Sequence, residues 1–241
     1  MNRLRDILIS SAILFIFSPL LLFVCLFVWM QDWHSPFYIA DRVGKNGKLF
    51  SMVKLRSMIA NADSTGVDST GKNDDRITPI GHFIRRYKLD EITQMWNVLK
   101  GDMSLVGPRP NVKRETDLYS NEEKKLLNVK PGVTDFSSII FSDEAEILAD
   151  YKDPDLAYNQ LIRPWKSRLG ILYIENMSFL IDIKIIFLTA VTIIDRSRGV
   201  KSITKLLLGI NCPDDLLEVC KRDKDLYPHP PPGFSEIVTH R

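Results

Sequence analysis

RRYKLDEITQMWNVLKGDMSLVGPRP, residues 85–110, is the stretch from which the rest of the chain is best read. Leu89, Ile92, Met95, Trp96 and Leu99 recur at helical spacing and predict a helix over 88–100 with one apolar face. Gly101 stops that helix, and Pro108-Arg109-Pro110 makes a rigid extended bend. Asp90 and Glu91 open the helix side by side. Neighbours on a helix point about 100° apart, so two adjacent carboxylates can serve different targets. One can attack or abstract a proton while the other holds a metal. A helix N-terminus favours anions, and an ionised Asp there is a competent nucleophile. By spacing alone, the plainer reading is a pair of first-turn acids that merely stabilise a helix.

Cations surround this pair in sequence: Lys54, Arg56, Arg76, Arg85, Arg86, Lys88 and Arg109. Arginine forks suit phosphate oxygens. Magnesium prefers oxygen ligands and often bridges a carboxylate to substrate phosphates. A solvated basic face or a lipid-headgroup contact is the other reading of Arg85, Arg86 and Lys88. Upstream, FYIADR (37–42) and KLFSMVKL (48–55) flank Gly44-Lys45-Asn46-Gly47, and Asn-Gly between apolar runs predicts a hairpin. Residues 61–79 are polar and turn-rich and read as a loop. Within them GVDSTGKN (66–73) nearly fits a phosphate-binding loop, but it has no flanking strand or helix and is an accidental match.

Downstream, 121–128 and 154–174 read as helices. In 178–195, Leu180, Ile183, Phe187, Ala190 and Ile194 share one stripe. An amphipathic helix on a membrane surface and a buried core helix both fit it. Tyr227 to Gly233 (YPHPPPG) has the composition of a disordered tail.

The N-terminal run Ile7 to Met30, ILISSAILFIFSPLLLFVCLFVWM, carries no charge. It exceeds the ~20 apolar residues that cross a hydrocarbon core and is too long for a signal peptide. Pro19 frees the carbonyl of Phe15, which needs a partner inside a membrane, and the Ser18 hydroxyl is a nearby candidate. A kinked spanning helix and a re-entrant hairpin both remain open. Arg3 and Arg5 before the run, and Arg42, Lys45, Lys48, Lys54 and Arg56 after it, favour both ends lying in the cytosol.

Over 241 residues, 32 Lys+Arg balance 30 Asp+Glu, which excludes a generic nucleic-acid coat. A mean hydropathy of -0.06 excludes a polytopic membrane protein. Three cysteines without CxxC, and four scattered histidines, speak against a disulfide scaffold or a structural zinc site.

Taken together, these segments resemble the bacterial sugar transferases, the monotopic polyprenyl-phosphate phosphoglycosyl transferases. The resemblance is carried in order by Ser18-Pro19, RVGKNGK (42–48), KLRSM (54–58), DDRITPIGHFIRR (74–86) and KLDEITQMWNVLKGDMSLVGPRP (88–110). VKPGVT (129–134) and YIENMSFLIDIKI (173–185) complete it, so that it covers roughly residues 1–195.

The resemblance implies an α+β fold: a mainly helical cytosolic domain with a small β-hairpin, amphipathic interfacial helices, and an N-terminal re-entrant membrane helix hairpin broken at Ser18 and Pro19. It implies an anchor over 1–33, a catalytic domain over 34–200 and a C-terminal extension over 201–241. The activity implied is transfer of a sugar-1-phosphate from a UDP-sugar to undecaprenyl phosphate, with release of UMP, as the first membrane step of a surface-glycan pathway. Asp90 would be the nucleophile, and Glu91 would help hold Mg2+. Lys54, Arg56, Arg86 and Arg109 would bind phosphate. Membrane lipids and downstream glycosyltransferases are the implied partners, nucleic acid is not, and the implied location is the cytosolic face of the bacterial inner membrane.

One departure stands out. After PGVT, relatives continue with a Gly, an aromatic and a Gln, then an NGR-like stretch, whereas this chain has DFSSIIFSDE (135–144). That places donor specificity in question and motivates the alternative of a catalytically inactive membrane-anchored scaffold. The intact Asp90, Glu91 and Arg109 oppose that alternative.

Overall fold

A computed structural model describes residues 3–65, 71 and 74–239; most of the accidental phosphate-loop match at 66–73 lies outside them. The apolar run forms one helix, α1 (Arg3–Asp32), with Pro19 inside it. The Ser18 hydroxyl donates to the Phe15 carbonyl at 2.8 Å, supplying the partner that Pro19 removes. The expected break into two helices at Ser18-Pro19 is not seen: α1 runs as one helix through both residues.

The two ends of α1 are fastened and its middle is not. Arg5, Asp6, Ser10, Val24 and Val28 are buried, while Phe15, Ile16, Leu22 and Phe23 are exposed. At the N-terminal end Arg3 donates to the carbonyls of Val98 and Leu99. Arg5 bonds Asp182 at 2.5 Å, and Asp6 accepts from Ser104 at 2.7 Å. At the other end Arg56 donates to Asp32 at 2.6 Å.

The expected hairpin forms from β1 (Phe37–Val43) and β2 (Leu49–Leu55), antiparallel with Tyr38 opposite Lys54 and Arg42 opposite Phe50. Asn46 and Gly47 take the positive φ values, 57° and 76°, that the tight reversal needs. Side chains alternate across a strand, so Tyr38, Arg42 and Lys54 share one face.

Thr78 caps α2 (Pro79–Arg86) by accepting from the Gly81 N–H. The helix expected over 88–100 is present as two short pieces, α3 (Leu89–Ile92) and α4 (Met95–Lys100). Between them the Thr93 hydroxyl donates to the carbonyls of Asp90 and Val53, competing with the helical ladder. The split corrects the apolar stripe: Trp96 is 55% exposed. Asn97 faces β2 instead, donating to the Ser51 carbonyl and accepting from the Val53 N–H. Gly101 ends α4 at φ 94°, as expected.

β3 (Ser104–Val106) precedes α5 (Lys113–Thr116), and β3 pairs in parallel with β4 (Gly132–Thr134). A Cβ on Gly132 would lie 2.1 Å from the Gly107 nitrogen, so only glycine permits this approach.

The remaining helices are α6 (Phe136–Ile140), α7 (Glu144–Ile147), α8 (Pro154–Leu161), α9 (Arg163–Asn176), α10 (Phe179–Ile194), α11 (Arg196–Leu208) and α12 (Asp214–Lys221). They enclose a core with Phe136, Ile139, Trp165, Leu169, Tyr173, Ile185 and Ile203 at its centre. Leu216 and Cys220 join the same core, so α12 packs with the helices before it. On α10 it is Asp182, Ile185 and Leu188 that are buried. The stripe Leu180, Ile183, Phe187, Ala190 and Ile194 lies on the exposed side, so α10 packs on the core by a different face from the one its spacing marked.

The Pro-rich tail is a correction. Disorder was the expectation from composition, yet Tyr227 and His229 stack on Trp165 at centroid distances of 5.3 and 4.4 Å. Gln160 donates to the Val238 carbonyl, and the His229 N–H to the Gln160 carbonyl. The aromatic residues interleaved with the prolines give the tail something to bury, which overrides its composition.

Candidate active site

The acidic pair lies where α2, α3 and the hairpin meet. Lys88, immediately before α3, holds a left-handed conformation at φ 54°, a strained one for a residue with a Cβ. Asp90 and Glu91 then diverge as neighbours on a helix must. Asp90 Oδ2 lies 3.5 Å from Lys54 Nζ, on the site-facing side of β2. Glu91 Oε1 lies 3.0 Å from Arg109 Nη2, in the bend after β3. Arg109 is steadied by a 3.2 Å bond to the Val133 carbonyl, beside the parallel β3–β4 pair. Asp90 Oδ1 is buried and has no hydrogen-bond partner. A buried acceptor left unmatched costs free energy and calls for an explanation, of which a bound ligand is one.

The electrostatics agree. Burial disfavours charge on Glu91, but Arg109, Lys88 and Lys54 outweigh it and hold this carboxyl well below the usual carboxylate range. Glu91 in turn raises Arg109 against its own burial. Burial lowers Lys54; Asp90 and Glu91 offset this in part, while Arg109 and Arg42 add to it. The cleft thus gathers groups of both signs, with Lys54 and Arg109 close enough to repel one another. A polyanion would relieve that repulsion.

Of the expected site residues, the structure brings together Lys54, Asp90, Glu91 and Arg109. Arg56 is not brought there. Its guanidinium is buried against α1, donating to Asp32 and to the carbonyls of Val28, His34 and Ser35, so it closes a helix C-terminus where cations are favoured. Arg86 is exposed and lies 5.6 Å from the Tyr87 ring centroid. Arg85 turns inward instead: its Nε donates to Ser57 at 2.9 Å, and its charge, lowered by burial, is drawn back by Asp90 and Asp74. Helical geometry allows only one of two adjacent arginines to face the dyad, and sequence gave no way to choose.

Arg42 was countable only as flanking charge, although strand alternation places it with Lys54. Glu144 and Lys166 pair with each other, and Arg109 and Lys88 add to Lys166 in holding the Glu144 carboxyl below the usual carboxylate range. Nothing in the local sequence marks them.

The donor set suits magnesium of the kind that borrows ligands from substrate. Among the described residues no three His, Cys, Asp or Glu side chains converge on one point. Two adjacent carboxylates, one with an orphaned oxygen, match an ion that completes its octahedron with phosphate oxygens and water.

A long, largely exposed apolar helix fits association with a membrane, and it is joined to a cleft in which paired acids meet a lysine and an arginine. The chain belongs to the bacterial sugar transferase family, whose model matches residues 1–196. It is 35% identical over 211 residues to an undecaprenyl-phosphate galactose phosphotransferase of Salmonella typhimurium, covering 81% of this chain and 41% of that protein. A UDP-glucose:undecaprenyl-phosphate glucose-1-phosphate transferase of Klebsiella pneumoniae is 35% identical over 192 residues, covering 78% and 39%. The exopolysaccharide production protein ExoY of Rhizobium meliloti is 31% identical over 213 residues, covering 82% and 87%. The chain thus spans about two fifths of the length of the Salmonella and Klebsiella relatives and most of the Rhizobium one.

Proposed function

We propose that this chain transfers a sugar-1-phosphate from a UDP-sugar to undecaprenyl phosphate at the cytosolic face of the bacterial inner membrane. The observation that carries the reading is the pairing of Asp90 with Lys54 and of Glu91 with Arg109, with Asp90 Oδ1 unmatched between them. Arg109, Lys54 and Lys88 neutralise the diphosphate, without which it repels an anionic nucleophile. An Asp90 carboxylate oxygen attacks the phosphorus bonded to the sugar. The P–O bond to the uridylate breaks and UMP leaves, so the phosphosugar stays on Asp90 as an acyl phosphate. A phosphate oxygen of the polyprenyl carrier then attacks the same phosphorus, and the carboxylate leaves. A soluble donor and a lipid acceptor thus use one site in turn. Glu91 and Asp90 are the residues that would hold magnesium, which supplies further neutralisation of phosphate charge when bound.

A re-entrant arrangement of α1 is part of the same proposal. Both of its ends are tied to one domain, through Arg3 and Arg5 at one and Asp32 at the other. Val98, which meets the first end, and Leu89, which packs with Val24 and Val28 near the second, are nine positions apart. The exposed apolar middle of α1 and the exposed stripe on α10 then face lipid together. The test is a UDP-sugar panel with magnesium and polyprenyl phosphate, read as UMP release. Release from one donor, and a sugar-phosphate adduct on the wild-type chain that Asp90→Asn lacks, is the expected result. An adduct that persists in Asp90→Asn would overturn the assignment of the nucleophile.

A further inference from the structure

A second undersatisfied cluster forms at the turn from α10 into α11, built from other residues than the acidic pair and its partners. Asp143, in the link between α6 and α7, receives two arginines on one oxygen. Arg196 Nη2, from the first residue of α11, lies 2.7 Å from its Oδ2. Arg222 Nη2, from the residue after α12, lies 3.0 Å from the same atom. Guanidinium groups stay protonated in proteins, so two positive charges meet one negative. The acids next to them in sequence do not restore the balance. Asp195 pairs with Arg198, Glu144 pairs with Lys166, and Asp223 is exposed to solvent.

Hydrogen bonding is incomplete at the same place. Arg196 Nε and Nη2, Arg222 Nε and the Ser142 hydroxyl are buried donors without an aligned acceptor, and Asp143 Oδ1 is a buried acceptor without a donor. The Arg222 side chain is only 10% exposed, whereas that of Arg196 is 40% exposed and opens the cluster to the outside. A single orphaned atom is readily met by a buried water. Several donors with a surplus positive charge, set against one acceptor, suit an anion that brings more than one oxygen, and guanidinium forks fit phosphate.

The place in the chain says which phosphate. Ile194 closes the exposed apolar stripe of α10 and is itself 89% exposed. Arg196 follows two residues later, within about 7 Å along the backbone. From there α11 carries Arg198, Lys201 and Lys205 on its exposed side and ends on exposed Leu208. An apolar stripe that runs into a row of cations is the order expected where hydrocarbon gives way to anionic headgroups.

We infer that Arg196, Arg222 and Ser142 form a site for the phosphate of an anionic phospholipid with a glycerol headgroup, whose hydroxyls supply the donor that Asp143 Oδ1 lacks. Asp143 is the counter-ion that keeps the two guanidinia together. The inference rests on the reading that the α10 stripe faces lipid. Arg222 lies beyond the residues that the family model matches, so the site draws on the C-terminal extension.

The experiment uses the full chain in a mild detergent, titrated with phosphatidylglycerol, with phosphatidylcholine of the same acyl length, or with inorganic phosphate. Bound ligand is counted by native mass spectrometry, and UMP release is measured alongside. The wild-type chain should hold one phosphatidylglycerol about tenfold more tightly than phosphatidylcholine, whose quaternary ammonium meets a site already in positive surplus, and should bind inorganic phosphate more weakly still. Arg196→Gln and Arg222→Gln should each weaken that binding about tenfold, the scale of one lost charge-assisted hydrogen bond, and Arg222→Lys should recover part of the loss. Asp143→Asn should act the other way and tighten binding about threefold, because it removes a competing carboxylate; a purely structural ion pair would give no such gain. Arg196 is half-exposed, so Arg196→Gln carries the test if Arg222→Gln folds poorly. Equal retention of phosphatidylglycerol by the wild-type chain and Arg196→Gln overturns the inference. So does a wild-type chain without preference among the three ligands, which leaves the cluster to water or a free anion. Quenching of a bimane label at Ile194→Cys by nitroxide lipid, with the native cysteines replaced, tests the placement of α10 separately. A chain that holds phosphatidylglycerol through Arg196 yet releases no UMP overturns the transferase reading alone.

Discussion

Two charged networks sit a short distance apart, one at the feet of α1 and one in the cleft, and they are built differently. At the feet, Arg5 is held between Asp6 and Asp182, Tyr173 donates to Asp182 at 2.7 Å, and Arg56 spreads its donors over Asp32 and three carbonyls. Their partners are close and numerous. In the cleft, Lys54 and Asp90 stand 3.5 Å apart, Asp90 Oδ1 has no partner, and Lys54, Lys88 and Arg109 crowd two carboxylates. A fully matched buried network fastens one part of a chain to another. An under-matched one keeps its capacity for something that arrives. Two arginines of the expected phosphate-binding set thus divide, with Arg56 in a fastening and Arg109 beside the acidic pair.

The sharpest way to break this contrast is Asp90→Asn, which should lower UMP release by about 10⁴-fold or more with unchanged thermal unfolding, since it removes a nucleophile and not a fastening. Arg5→Met is the mirror case. It leaves Asp182 buried with its charge exposed to no partner but Tyr173, and should cost about 3 kcal/mol in denaturant unfolding. Residual activity per folded molecule should be unaltered in that variant. Arg109→Lys should lower kcat/KM by about tenfold to a hundredfold, because a single ammonium replaces a fork that meets both Glu91 and phosphate. Arg56→Lys, measured beside it, should leave KM for the donor unchanged and lower stability; an equal rise in KM for both variants would erase the distinction drawn between them.

The smallest expected effect is in the pH profile. Burial lowers Lys54, so its charge is lost as pH rises through a value below the ordinary lysine range. KM for the UDP-sugar should therefore climb a few-fold on an alkaline limb that begins earlier than a free lysine would give, and Lys54→Arg should move that limb upward. Glu91 behaves oppositely. Its lowered pKa keeps it ionised well into acid, so its pairing with Arg109 survives until pH falls below the usual carboxylate range.

Much of this was legible beforehand because it depends on neighbours in sequence. Asn46-Gly47 announced the hairpin, Gly101 the end of α4, and Ser18 the repair of the carbonyl freed by Pro19, all through local backbone rules. The divergence of Asp90 and Glu91 followed from 3.6 residues per turn. Other features were not legible. The stripe on α10 fitted a core helix as well as a surface one until packing left it uncovered. The Pro-rich tail looked disordered until Trp165, some sixty positions away, gave it a partner. The three-residue strands β3 and β4 are too short for any periodic signal.

What the sequence determined by itself was chemistry over short range: an uncharged run long enough for a membrane, an acidic pair able to aim two ways, and a supply of phosphate-suited cations. Which cations serve the pair was decided only by the tertiary structure. Arg85 and not Arg86 turns inward, and Arg109 and not Arg56 reaches an acid of the pair. Local geometry is set by a few dihedrals and is written residue by residue. An electrostatic site is a sum over charges brought close by packing, and the chain acquires that closeness only when it folds.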